Sequence, residues 1–191
     1  MEQQRPENPV VDKIITNHVI YSMTAGAIPL PLVDITAVAV IQLDMIKQLA
    51  NHYEAPYDQD SGKSLISSLA GATLARMGAS AVKAIPGVGT ALGISTQIAL
   101  SGASTYALGK IFDAHFARRG SIFDLNVDDV KAKYEDLLDK GKDVVKGLKK
   151  EKKGEDIPAT IAKLKELRDS GAISMEEFET TKKKLLEKMA G

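Results

Sequence analysis

Asp60–Ser64 reads DSGKS, and a Gly-Lys-Ser core is what a phosphate-cradling loop offers a nucleotide. Such a loop needs a further glycine five positions earlier, so that its backbone amides can close on the phosphates, and a strand must feed it. Tyr57 stands at that position and no strand pattern precedes it, so the run reads as a helix N-terminus. The histidines His18, His52 and His115 are isolated from one another. A helical metal site wants a second ligand one turn away, and none of them has a histidine there, so surface or lightly packed histidine is the reading. A Ser/His/Asp set assembles from distant positions and cannot be read from spacing, and no nucleophile elbow is present. No residue is assigned a catalytic, cofactor or metal role, and the chain reads as non-enzymatic.

Asp34, Asp44 and Arg76 say more, because they interrupt otherwise apolar helical patterns. A charge there is costly unless it is paired. The functional reading is a charge relay or a partner-docking site; the simpler one is solvent exposure or a structural ion pair, and it is preferred. The sequence then predicts that Arg76 meets Asp34 or Asp44 between two helical hairpins.

The elements that position these residues are organised around the interval between Lys83 and Lys110, which contains no Asp, Glu, Lys, Arg or His. Gly89, Gly93, Ala99, Ala103 and Ala107 recur along it, and small residues of this kind let helix backbones approach closely. A glycine in a lone exposed helix is about 1 kcal/mol worse than alanine, so packing must compensate. The interval is long enough to span a bilayer, yet its Gly, Ser, Thr and Gln97 leave it only weakly apolar. Two covers are open to it: lipid, or neighbouring copies of the chain.

Apolar periodicity predicts a helix from Val10 to about Gly26, ended by Pro29 and Pro31, and a second from Leu32 to His52. A third is expected over about Ser61–Val82 and a fourth over about Thr90–Ala117. Asn126 then caps a charged helix in which Val130, Tyr134, Leu137, Gly141, Val144 and Leu148 form a heptad-like seam, interrupted at Gly141. In the last helical pair Gly171 is the expected left-handed cap, and Ser174 with Glu177 the capping box of the final helix. Two helices so short cannot fold alone and should dock on their own chain or on copies of it. The fold class is all-α: two helical hairpins making a four-helix domain, a charged connector helix and a C-terminal helix-turn-helix. The domains read as a loose N-terminus over 1–9, the apolar four-helix domain over 10–119, the connector and charged linker over 120–154, and the terminal hairpin over 155–191.

Lys and Arg total 25, as do Asp and Glu, which argues against nucleic acid as a partner. Trp is absent and aromatics are scarce, so no stacking platform exists for bases or sugars. The absence of cysteine excludes disulfides and thiolate metal sites and fits a reducing compartment. The opening MEQQRPENPV lacks the basic-then-apolar plan of a secretory signal, so residence in the cytoplasm is expected.

Two resemblances rest on these residues. AIPLPLVDITAVAVIQLDMIKQLANHY (Ala27–Tyr53), followed by the hairpin around IPGVGT, resembles the helical domain of unknown function of YcjF-type inner-membrane proteins, also found fused to Era-like GTPases. It implies an all-α, membrane-associated accessory domain with no agreed activity. IAKLKELRDSGAISMEEFETTKKKLL (Ile161–Leu186) resembles the short C-terminal domain, SHOCT, which implies oligomerisation through Leu164, Leu167, Ile173, Phe178, Leu185 and Leu186. The expected partners are the chain itself, membrane lipid on the cytoplasmic face of the inner membrane, and a separate GTPase. The resemblance tips the reading towards a membrane-attached, self-assembling protein, joined through the terminal unit and the connector seam. The alternatives are a soluble ring or shell whose contacts cover the apolar hairpin, and an accessory subunit of a GTPase.

Overall fold

The structure, a computed structural model, describes residues 8–26, 33–68, 89–150, 156–171 and 173–190; for 33–36, 89–96, 127 and 188 only the backbone is described. Every regular element among the described residues is helical: α1 (Pro9–Ala25), α2 (Val33–His52), α3 (described over 59–68), α4 (Gly89–Phe116), α5 (Val127–Lys150), α6 (Ile157–Asp169) and α7 (Met175–Ala190). The boundaries follow local chemistry. The Asn8 side chain accepts from the Val10 and Val11 amides, and Pro9 fills a position whose amide would have no partner. Asn126 caps α5 through the Asp128 and Asp129 amides, as its residue type predicted.

Helix α4 lies at the centre and packs against α1, α2 and α5. It runs antiparallel to α1: Lys110 pairs with Asp12 at 2.8 Å, while Gly26 sits against Ser101. Its small residues are the sites of closest approach. A methyl group at Gly102 would strike Met23 and Val145, and one at Gly109 would strike Ile15. Ala103 and Ala107 are fully buried, and Ala99 is partly so. A polar thread crosses this interface, with Gln42 of α2 donating to Ser104 and Thr105 of α4, and Thr105 bonded to Ser22 of α1. Such a thread satisfies polar groups that burial would otherwise penalise by about 1–3 kcal/mol each.

Two expectations change here. The sequence placed the cover of the uncharged run outside the chain, but Ile98, Ala103, Ala107 and Leu108 are buried by helices of the same chain. The α5 seam offered for self-association is likewise occupied: Val130 and Tyr134 are buried in the main core, with Leu137 and Leu148 packed against it, and Val145 rather than the expected Val144 is the buried valine. Gly141 does not interrupt the seam; it makes it possible, since a Cβ there would lie 2.7 Å from the Ala103 carbonyl oxygen.

The terminal pair closes as predicted. Gly171 has φ +75°, and the Ile173 amide reaches back to the Leu167 carbonyl at 3.4 Å. The Ser174 amide donates to Glu177 at 2.7 Å, and the Glu177 amide to the Ser174 hydroxyl at 3.1 Å. Leu164, Leu167, Ile173, Phe178 and Leu185 make a second core with Ala25, Ala37, Val40 and Ile41, so α6 and α7 dock on α1 and α2 of their own chain.

The two glycines of α5 should therefore respond oppositely to alanine. Gly141→Ala is expected to destabilise by about 1–3 kcal/mol, because the obstacle is backbone. Gly147 has nothing within 4 Å, so Gly147→Ala should stabilise by up to about 1 kcal/mol. Denaturant midpoints followed by circular dichroism measure both.

Candidate functional site

The antiparallel pairing of α1 and α2 sets Asp44 opposite His18, on the side where α6 docks. One carboxylate oxygen, Oδ2, receives three donors: His18 Nε2 at 2.9 Å, Gln48 Nε2 at 2.8 Å and Lys163 Nζ at 2.5 Å. His18 is held in place by Nδ1, which lies 2.7 Å from the Ile14 carbonyl one turn back, and its ring meets Tyr21 edge-on. Lys163 also donates to Glu166 at 3.1 Å. The Lys163 side chain is 10% exposed and that of Asp44 17%, so this pair is largely withdrawn from water.

Burial alone would push the Asp44 carboxyl up. The hydrogen bonds from His18 and Lys163, with the charges of both, outweigh burial and hold it at about 2. For Lys163 burial opposes the ammonium, but the bond to Asp44 and its charge, supported by Glu166, raise it above the ordinary lysine value. Tyr21 is raised too, chiefly by burial, with Glu166, Asp156 and Asp44 adding to it against Lys163.

A cleft of about 420 Å³ opens beside this cluster, lined in part by Lys13, Asn17, His18, Tyr21, Lys163 and Glu166. A histidine–carboxylate pair can orient a general base, but only if the second ring nitrogen faces the reactant. Here Nε2 is turned to Asp44 and Nδ1 to Ile14, so neither is directed at a substrate in the cleft. What the arrangement does is hold three helices together.

The remaining sequence candidates are placed as follows. Ser61 is tied to Asp58 through its amide at 2.8 Å, which makes 60–64 the first turns of α3. His52 pairs with Asn8, and His115 braces the turn after α4 through the Ser121 carbonyl and Asp124. Among the described residues, no three His, Cys, Asp or Glu side chains gather as a metal site. Leu164, Leu167, Ile173, Phe178 and Leu185 come together in the second core, whereas Leu186 is 45% exposed. Gly89 and Gly93 lie on the described backbone of α4. Arg76 lies outside the described residues and the Asp34 side chain is not described, so the proposed pair with Arg76 falls outside them as well. Lys163 was missed by sequence reasoning, and His18, read as surface or lightly packed, is instead 2% exposed. The one signal for Lys163 is position, immediately before Leu164 at the edge of the buried stripe of α6.

Residues 3–143 match the family described as Domain of unknown function (DUF697), and residues 159–186 match the short C-terminal domain, SHOCT. The chain belongs to the DUF697 family. It is also similar to magnetosome membrane protein 22 of Magnetospirillum gryphiswaldense, 38% identical over 138 residues that cover 70% of this chain and 71% of the relative. No solved structure matches the chain. The DUF697 match runs into α5, the helix packed on α4, and the SHOCT match covers the helical pair that supplies Lys163. The Asp44 cluster is thus where the two matched regions meet.

Asp44 bears on stability through pH. Its folded value of about 2 lies below its ordinary 3.8, so its contribution is present above pH 4 and lost as pH falls through 2. The shift corresponds to about 2 kcal/mol. Asp44→Asn should lower the melting temperature at pH 6 and narrow the loss between pH 4 and pH 2 relative to wild type. Thermal melts across that range would show it.

Proposed function

We propose that this DUF697 chain is a non-enzymatic protein that attaches by one end to the cytoplasmic face of the inner membrane and assembles with copies of itself. The observation that carries the reading is how the fold sorts charge. The antiparallel packing of α1 on α4 gathers their uncharged parts at one end: α1 has no Asp, Glu, Lys or Arg after Lys13, and α4 none before Lys110. Because Gly26 lies at Ser101, the first turns of α4 run on past the end of α1, by about 18 Å at 1.5 Å per residue. Val145 lies at Gly102, so the last turn of α5 comes alongside with Lys146, Lys149 and Lys150 exposed. Lysines so placed are worth about 1 kcal/mol each at an anionic lipid surface.

No described helix is long and apolar enough to cross a membrane, and the attachment proposed is of an end, at the interface. The relative's name, magnetosome membrane protein, supports the membrane reading. A second reading, a soluble assembly, is favoured by the burial of Ile98, Ala103, Ala107 and Leu108 in the chain's own core, which leaves those residues no need of lipid and moves any subunit contact to other surfaces.

Flotation of the purified chain with vesicles separates the two. The chain should float with phosphatidylserine-containing vesicles, and part of it should stay bound at high salt through the apolar end. Replacing Lys146, Lys149 and Lys150 together with Glu should release most of the binding at low salt. A chain that stays at the bottom of the gradient with every vesicle, as one large particle, supports the soluble assembly instead.

A further inference from the structure

We infer that the C-terminal unit is exchangeable: the surface it covers on α1 and α2 is equally a receptor for α6 and α7 of a second copy, and Asp44–Lys163 is the contact that admits it. The inference rests on the reading of this chain as self-assembling, and names the surface through which it does so.

Four observations support it. The unit shares a core with Ala25, Ala37, Val40 and Ile41 of α1 and α2, separate from the main core around α4. Leaving that surface therefore need not disturb α4. Its helices have 13 and 16 residues, too little to bury a core of their own, so an undocked unit must find the same surface elsewhere. That surface is present on every copy. The stretch that joins the unit to α5 reads EKKGE and contains no apolar side chain.

Reciprocal exchange between two copies closes with two-fold symmetry and reproduces each contact twice. It adds no new contact, so concentration and the effective concentration of the tethered unit decide between the closed chain and the pair. The Asp44 cluster adds selectivity. Undocking leaves a mostly buried carboxylate without Lys163 and exposes Leu164, Leu167, Phe178 and Leu185, so only a surface offering both the acid and the apolar patch replaces what is lost.

A charge-reversal mixture tests this. In Asp44→Lys the acid's place faces Lys163 with like charge, and in Lys163→Asp two acids face each other, so each variant is mismatched within its own chain. In an exchanged pair of the two, one junction is the native Lys163–Asp44 and the other is the same pair reversed. Each variant alone should scatter light as a single chain, and a 1:1 mixture should give a species of twice the chain mass of 20.5 kDa. The double variant, re-paired within one chain, should recover part of the melting temperature that each single variant loses, the rest being lost because His18 and Gln48 still donate toward position 44 and Glu166 faces position 163. Should a reversal unfold α2, Asp44→Ala mixed with Lys163→Ala is the milder form, since one native pair is restored only between chains. A mixture that stays at single-chain mass while wild type assembles overturns the exchange and leaves self-assembly standing. If wild type is itself a single chain at every concentration, both fall.

Discussion

A helix with no charged side chain from Gly89 to Gly109 has no face that water favours, and small side chains give it little apolar area per residue. Close approach is the remaining source of cohesion, because dispersion is gained only at van der Waals distance. From Ile98 onward, helix α4 meets that constraint by being enclosed. Met23 and Val145 close on Gly102, Ile15 on Gly109, and the backbone of Ala103 on Gly141. The rest of the larger unit follows, with α1, α2 and α5 as the walls and the Gln42–Thr105–Ser22 thread fixing α1 and α2 against α4.

The same enclosure explains how an apolar, glycine-rich segment and a charged amphipathic helix belong to one core. The apolar stripe of α5 is narrow and its other faces carry lysines and acids at exposed positions, several paired three residues apart. Such exposed pairs contribute little to stability. They leave α5 a solvated outer wall, with its basic last turn beside the uncharged first half of α4.

Asp44 ties this unit to the smaller one. An acid in the apolar pattern of α2 would be costly alone, and its three donors come from α1, α2 and α6. The cluster resembles a catalytic pair in composition but not in geometry, since both imidazole nitrogens are turned inward to protein oxygens. Its consequence is a docking preference: α6 is held where Lys163 meets the acid of α2.

Helix existence and boundaries were legible because they are local: Asn126, Gly171 and the Ser174–Glu177 box act within a turn or two of themselves. The burial of Leu164, Leu167, Phe178 and Leu185 was legible for the same reason, as helical spacing sets a face whatever covers it. The identity of the cover was not. Periodicity shows that a face must be hidden, and apolar contact is non-directional, so lipid, a sister chain and α5 all satisfy the pattern. Only the packing assigned α5 to α4 and turned Gly141 from an apparent break into a contact point. Likewise, the sequence singled out Asp44 as a charge needing a partner, but a lysine more than a hundred residues away carries no local mark of the acid it will meet. Sequence determined what each helix had to bury; tertiary structure decided against what, because long-range partners are chosen by shape and charge in three dimensions.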